Sequence, residues 1–542
     1  MSSLTPIIDS YYRAWFRFHP EVAVDLGIEG YSEQLRPYGE DERGALIVLH
    51  EKLLSTLDEL DENDLDDEQK IDLKLMRGRV MLDMKDLNEC DWRVRDPGRY
   101  LPVHAIYQLT VRKVEDPKAA FTSRLKAIPD YLRGARSQLM QQPESIPVIW
   151  LESAITEAKA GADYFRSLEH HPQLSRYGLA QLLEEAAHAL EDYARFLESD
   201  ITPKAKGDFA RGLDYYNMLL SHRHQLDIDA DALHSFGQQL FDKTKQELLA
   251  VTQKLRGDED IAAMTASLQS DGLGDKDLIG TYREAMEAAK KFVIDNKLVT
   301  IPAKELLKVI ETPVFLRHVI PFAAYLDPAP NDPEQQGYYY VTPPAKGEVG
   351  DHNLISLRHT CVHEAWPGHH LQFVTANLNN TSNTLPRLIN ASASLYEGWA
   401  LYCEQLMHEE GFLNHPESEF VLLKDRLWRA LRIMIDVEIQ TRGVTIEQAA
   451  EKMQSLLGFS QREAMGELSW YSQAPGVPMG YATGWALINA TRDRLKSVEK
   501  DFGLQKFHDQ LLSAGSVALP LVIKHCFGKP MWDSVSKQVF SA

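Results

Sequence analysis

Apolar residues along most of the chain recur at three- and four-residue steps, the spacing of one helix face rather than the alternation of a strand. Leu182, Ala186, Leu190, Tyr193 and Leu197 form one such series. It predicts a helix with that face in the core. Breakers separate the periodic segments, among them Asp96-Pro97-Gly98 and Pro203. The acidic stretch 58–68, punctuated by Leu60 and Leu65, reads as a solvated helix end or loop. The Pro-rich run 327–333 cannot be helix interior. Directly after it, Gly337-Tyr338-Tyr339-Tyr340-Val341-Thr342-Pro343-Pro344 is the clearest strand signal, and Pro343 predicts an edge strand. The expected fold class is therefore mainly α, a large multi-helix body with one small β element.

A second helix is predicted within 389–411, with an N-cap at Asn390 or Ser392 and Gly411 at its C-terminal end. Leu395, Trp399, Tyr402 and Leu406 share its core face. Glu397 and Glu404 lie together on the opposite side, yet Ala393, Ala400 and Leu401 flank them. A helix buried on both sides would place these carboxylates where they need a cation or a metal. The alternative is a solvent face on which Glu404 pairs with His408 at i, i+4.

Composition narrows the partners. The chain has 542 residues, with 58 basic against 79 acidic side chains and a net charge of −21. No basic footprint for nucleic acid or an anionic membrane is visible, and neither partner is expected. No apolar run reaches the ~18 residues of a bilayer span. The N-terminal sequence turns polar every few residues, without the apolar core of a secretory signal. Four cysteines, at 90, 361, 403 and 526, form no CxxC pair. A reducing cytoplasm is the expected location. Cys361 and Cys403 are expected as small buried hydrophobes rather than thiolate ligands.

The chemistry is concentrated in RHTCVHEAWPGHHLQ, residues 358–372, where His359, His363, His369 and His370 stand beside Glu364. Neutral imidazole is a common zinc ligand, and a carboxylate beside a first ligand is placed to act as general base on metal-activated water. The contiguous helical form of such a site, HExxH, is absent because Pro367 occupies the second position. On an ideal helix His369 would be displaced from His363 by about 240° and 9 Å. Pro367-Gly368 is where an ideal helix fails, and a bend there would return His369 to His363. Two rival pairings remain at this level. His370 recovers the right face but lies about 10.5 Å away along the axis, and His359 with His363 forms a regular i, i+4 pair. A Glu on a following helix, Glu397, is the candidate third ligand. Tyr481 and Tyr471 are candidates to donate a hydrogen bond to a developing oxyanion.

HEAWPGHHLQ and YEGWALYCEQL, together with FRFHPEVAVDLG, IPFAAYLDPAP, GYYYVTPP and YSQAPGVPMGYATG, resemble the DUF885 proteins of bacteria, which are related to the gluzincin zinc metallopeptidases. The resemblance implies a mostly helical, metallopeptidase-like fold with a deep cleft, a zinc ion, and hydrolysis of short peptides. It implies residues 1–205 as a helical cleft wall and 206–542 as the catalytic region, or the two as one continuous domain. By position, His363 and His369 match the paired ligands, Glu364 the base and Glu397 the third ligand. By the same analogy, the backbone of the Tyr338–Val341 strand would pair with an extended peptide. The chain departs from the family pattern at Trp470-Tyr471, at Pro475-Gly476-Val477-Pro478 and in residues 435–440. Those departures support a second reading, a metal- or peptide-binding protein that does not cut. A third keeps the zinc chemistry for a non-peptide amide.

Overall fold

The structure is a computed structural model and describes residues 4–270, 277–313, 317, 320, 322–344 and 352–541. The first three residues and Pro321 of IPFAAYLDPAP lie outside the described residues. The described chain is mainly helical, with one three-stranded sheet. No described helix is long and apolar enough to cross a membrane.

One compact unit extends to Phe209. Its Ala180–Phe196 helix buries Ala186, Leu190 and Tyr193, and Leu197 follows them into the core. Leu182 is only half-buried, and Leu183 takes its place against the core. The acidic stretch closes the Glu40–Asp58 helix and opens the next, where Asp66 and Gln69 form a capping box.

The second unit comprises Ala210–Thr312 and Ile320–Ala542. It contains the sheet, whose strands are β1 (Leu306–Glu311), β2 (Ala323–Leu326) and β3 (Gln336–Val341). The order is β1-β3-β2, so β3 is central and not the edge strand that Pro343 suggested. Tyr339 pairs with Val309 on the parallel side and with Tyr325 on the antiparallel side. Pro343 falls two residues beyond the end of β3, so its missing N–H removes nothing from either ladder. Tyr339 and Val341 are fully buried. Because both flanks of β3 are already hydrogen-bonded, its backbone is not available to an extended peptide.

Six helices of this unit surround the histidine-rich segment and its partners: Leu354–Glu364, His369–Leu378, Ala393–Glu409, Ser418–Thr441, Gln461–Gln473 and Gly480–Val498. The Ala393–Glu409 helix starts at its Ser392 N-cap, and Gly411 just beyond its end has a positive φ, as Gly tolerates. Leu395, Trp399, Tyr402 and Leu406 are fully buried. Its second face is buried as well, because Gly398 packs against Gly484 of the Gly480–Val498 helix with no side chain between the backbones.

Candidate metal centre

The helix carrying His363 begins at Asn353, whose side chain accepts from the Ser356 N–H at 2.8 Å, and ends at Glu364. Ala365 leaves helical geometry, Trp366-Pro367 is a cis peptide, and a new helix starts at His369. The joint is tight. The Gly368 N–H donates to the Val362 carbonyl at 3.1 Å, and a Cβ on Gly368 would sit 1.8 Å from the His363 carbonyl oxygen. Only glycine lets the chain pass so close to the preceding turn. Trp399 clamps the joint from the neighbouring helix by donating its indole N–H to the Pro367 carbonyl at 2.8 Å.

This bend brings the His363 and His369 ring centres to 4.8 Å, with the rings nearly perpendicular. Glu397 Oε2 lies 3.5 Å from His363 Nε2 and 3.3 Å from His369 Nε2. One donor atom from each of the three residues falls within 4.8 Å of the others. Glu397 Oε2 is buried and makes no other hydrogen bond among the described residues. Two imidazoles and one carboxylate are the donor set of a His2Glu zinc site, and these residues fit that ion.

His370 is turned away into a different network, and His359 lies against Glu404 rather than in the group of three.

A model of the DUF885 family, described as a bacterial protein of unknown function, matches residues 20–525. The chain belongs to DUF885. Two solved structures share its fold. One is a Shewanella oneidensis protein provisionally described as a lipoprotein of unknown function, with a TM-score of 0.79 and 22% identity over 97% of this chain and 100% of the other. The second, from Colwellia psychrerythraea and also provisionally described as a lipoprotein, has a TM-score of 0.80 and 18% identity over 99% and 100%. No curated protein matches the chain.

In this DUF885 chain the three donors are backed by a second layer. Glu404, buried on the same helix as Glu397, accepts from His363 Nδ1 at 2.8 Å, and its other oxygen lies 3.5 Å from His359 Nδ1. With a proton held on Nδ1, Nε2 is the nitrogen that faces Glu397 and His369, and once it gives up its own proton it has the orientation a ligand imidazole needs. Glu404 does not pair with His408, which bonds the Leu413 carbonyl instead. Burial alone would lower the His363 pKa, but hydrogen bonds to Glu397 and Glu404 raise it to about 10. Glu397 is held well below the usual carboxylate range: burial opposes this, and the charges and hydrogen bonds of His369 and His363 outweigh it. Two buried carboxylates meeting at these imidazoles make a site that demands positive charge.

Glu364 lies at the end of its helix beside His363, half-exposed, with no hydrogen bond to another described residue. Burial, and after it the negative charge of Glu397, push the Tyr481 phenol pKa well up. Tyr471 is placed elsewhere. Its hydroxyl donates to Glu467 at 2.7 Å and accepts from Arg432 Nε at 2.8 Å. The Arg432 guanidinium lies over the Tyr481 ring at 4.5 Å, so the two tyrosines flank one arginine and only Tyr481 reaches the donor group.

Two neighbouring networks carried no local signal in the sequence. Glu305, just before β1, meets His370 Nε2 at 2.9 Å and is paired with Lys290. His370 Nδ1 in turn meets the Tyr325 hydroxyl of β2 at 3.0 Å, and the Tyr325 ring stacks parallel to His369. Asp436, fully buried, accepts from the Tyr216 hydroxyl at 2.8 Å and the Gly476 N–H at 3.0 Å, pinning the loop that leads to Tyr481. Apart from the Lys290–Glu305 pair, both networks join residues separated by 40 or more positions, where periodicity and local motifs are silent.

Proposed function

We propose that this protein is a zinc-dependent hydrolase that cleaves short peptides. The observation that carries the reading is the convergence of His363, His369 and Glu397, one donor atom from each within 4.8 Å of the others, next to the unengaged carboxylate of Glu364. His363, His369 and Glu397 would hold the ion, and Glu404 fixes the tautomer of His363. When bound, zinc supplies Lewis acidity that makes a water acidic enough to lose its proton near neutral pH. Glu364 accepts that proton and returns it to the leaving amine. Tyr481, close enough to Glu397 to feel its charge, would donate to the oxyanion that develops on the attacked carbonyl.

The same reading includes kinship with gluzincin peptidases and a metallopeptidase-like fold that encloses the site in a cleft. The order His363, Glu364, His369, Glu397 and the burial of the histidines support it. It also includes a reducing cytoplasm, supported by four free cysteines. The lipoprotein description of the two structural neighbours favours a cell-envelope location instead, and fractionation of the native host decides between them.

Metal analysis of protein purified without chelator, paired with a screen of short peptides with and without chelator, tests the chemistry. The expected result is about one zinc per chain and chelator-sensitive cleavage. Glu364→Gln should keep the metal and lose roughly 10³-fold in rate. Chelator-insensitive cleavage, or full activity of E364Q, overturns the assignment. Zinc without any cleavage favours the non-cutting reading.

A further inference from the structure

The second unit contains a cavity of about 360 Å³ between the His363 helix and the Ser418–Thr441 helix. Its walls run toward the metal centre on both sides. Ser356 and Thr360 line it from the first helix, and Glu364 lies one turn beyond Thr360, about 6 Å along the axis. Lys424 and Trp428 line it from the second helix, and Arg432, which lies over the Tyr481 ring, follows Trp428 by one turn.

The charge of this cavity is unbalanced. Arg429 and Asp425 both line it and pair with each other at 3.0 Å. Lys424 also lines it and makes no ion pair or hydrogen bond with any described residue. Asp425 and Glu463 attract Lys424 electrostatically, but Asp425 is paired with Arg429 and Glu463 is engaged at the Ser460 N-cap at 2.7 Å. Burial lowers the pKa of the Lys424 ammonium, a cost that a bound anion would offset. Asn353 and Ser356, though bonded to each other, supply polar groups at the far end.

We propose that this cavity is a subsite for the free C-terminal carboxylate of the peptide, with Lys424 as its counter-ion. The inference rests on the hydrolase reading for its direction. The cavity lies about 6–12 Å from Glu364, one to two turns back along the helix. At about 3.3–3.6 Å per extended residue, that distance holds two to three residues beyond the bond that is cut. The enzyme would therefore release di- and tripeptides from the C-terminal end. Lys424 sets specificity and takes no part in bond breaking.

Binding by the zinc-loaded E364Q protein separates this inference from catalysis. The probes are dansylated tetra- to hexa-alanine peptides, each as free acid and as C-terminal amide. The free acid should bind at least about 10-fold more tightly, as expected for a charge-assisted contact in a partly buried site. Lys424→Met should erase the difference, and Lys424→Arg should retain most of it. Equal affinity for acid and amide, or a preference that survives K424M, overturns the subsite. Wild-type cleavage is scored separately: an acid preference that depends on Lys424 without any turnover supports the subsite and sinks the hydrolase reading. Turnover that ignores the C-terminal group does the reverse.

Discussion

Gly484 lies so close to the Glu397 helix that a methyl group on it would sit 1.9 Å from the Ser394 carbonyl oxygen and 2.7 Å from the Gly398 Cα. This contact sets the approach of two helices, one carrying Glu397 and the other Tyr481. Gly484→Ala is therefore expected to destabilise the fold by about 1–3 kcal/mol through overpacking against backbone that cannot yield. Gly466, in the Gln461–Gln473 helix, has nothing within 4 Å of its would-be Cβ. Gly466→Ala should stabilise by about 0.5–1 kcal/mol, the ordinary gain in a helix interior. Urea unfolding of both variants checks the pair, and equal shifts would contradict the packing described.

Zinc should stabilise the folded chain by mass action. At a free concentration 100 times its dissociation constant, the gain is about 2.7 kcal/mol. Glu404→Gln cannot accept from His363 Nδ1 with the same charge assistance, and zinc affinity should fall about 10–100-fold, read by competition with a chromogenic chelator. Glu397→Gln or His369→Ala should abolish the zinc-dependent rise in Tm. A rise that persists in both places the ion elsewhere.

Asp436 predicts a pH dependence of defined sign. Burial raises its carboxyl to about 7, against the hydrogen bonds from Tyr216, Gly476 and Met479 that favour the charged form. The folded state thus prefers the protonated acid. Its contribution to stability is full below the ordinary carboxylate pKa and is lost as pH rises through about 7. Asp436→Asn removes this titration. Between pH 5 and pH 8 the variant should gain on the wild type by up to about 2–3 kcal/mol, whatever the other groups contribute. A denaturation midpoint difference that stays constant across this range would show that burial does not raise the carboxyl.

The elements that could be read from the sequence were those written in local pattern. The Leu190 and Trp399 faces follow helical spacing, and Ser392 and Gly411 mark the ends of a helix by their backbone preferences. The failure of the helix at Pro367-Gly368 was also legible, because Pro and Gly act on the chain where they stand. The rank of β3 in its sheet was not. Pro343 reports only on the residue it replaces, whereas the neighbours of a strand are fixed by segments as distant as Leu306. Glu305 and Asp436 were invisible for the same reason: a buried carboxylate announces itself through its partners, and those lie far along the chain. Tyr471 and Tyr481 shared one credential, their late position, and only packing around Arg432 distinguishes them.

Gly368 stands at a joint between two rods, so the spacing of the imidazoles is written in four connecting residues and not in helical pitch. Adding or deleting a single residue there would displace the Gly368 N–H from the Val362 carbonyl and carry His369 out of register, with every flanking motif intact. String searches tuned to an unbroken helical turn pass over an arrangement of this kind. Its proper signature is a hinge of fixed length.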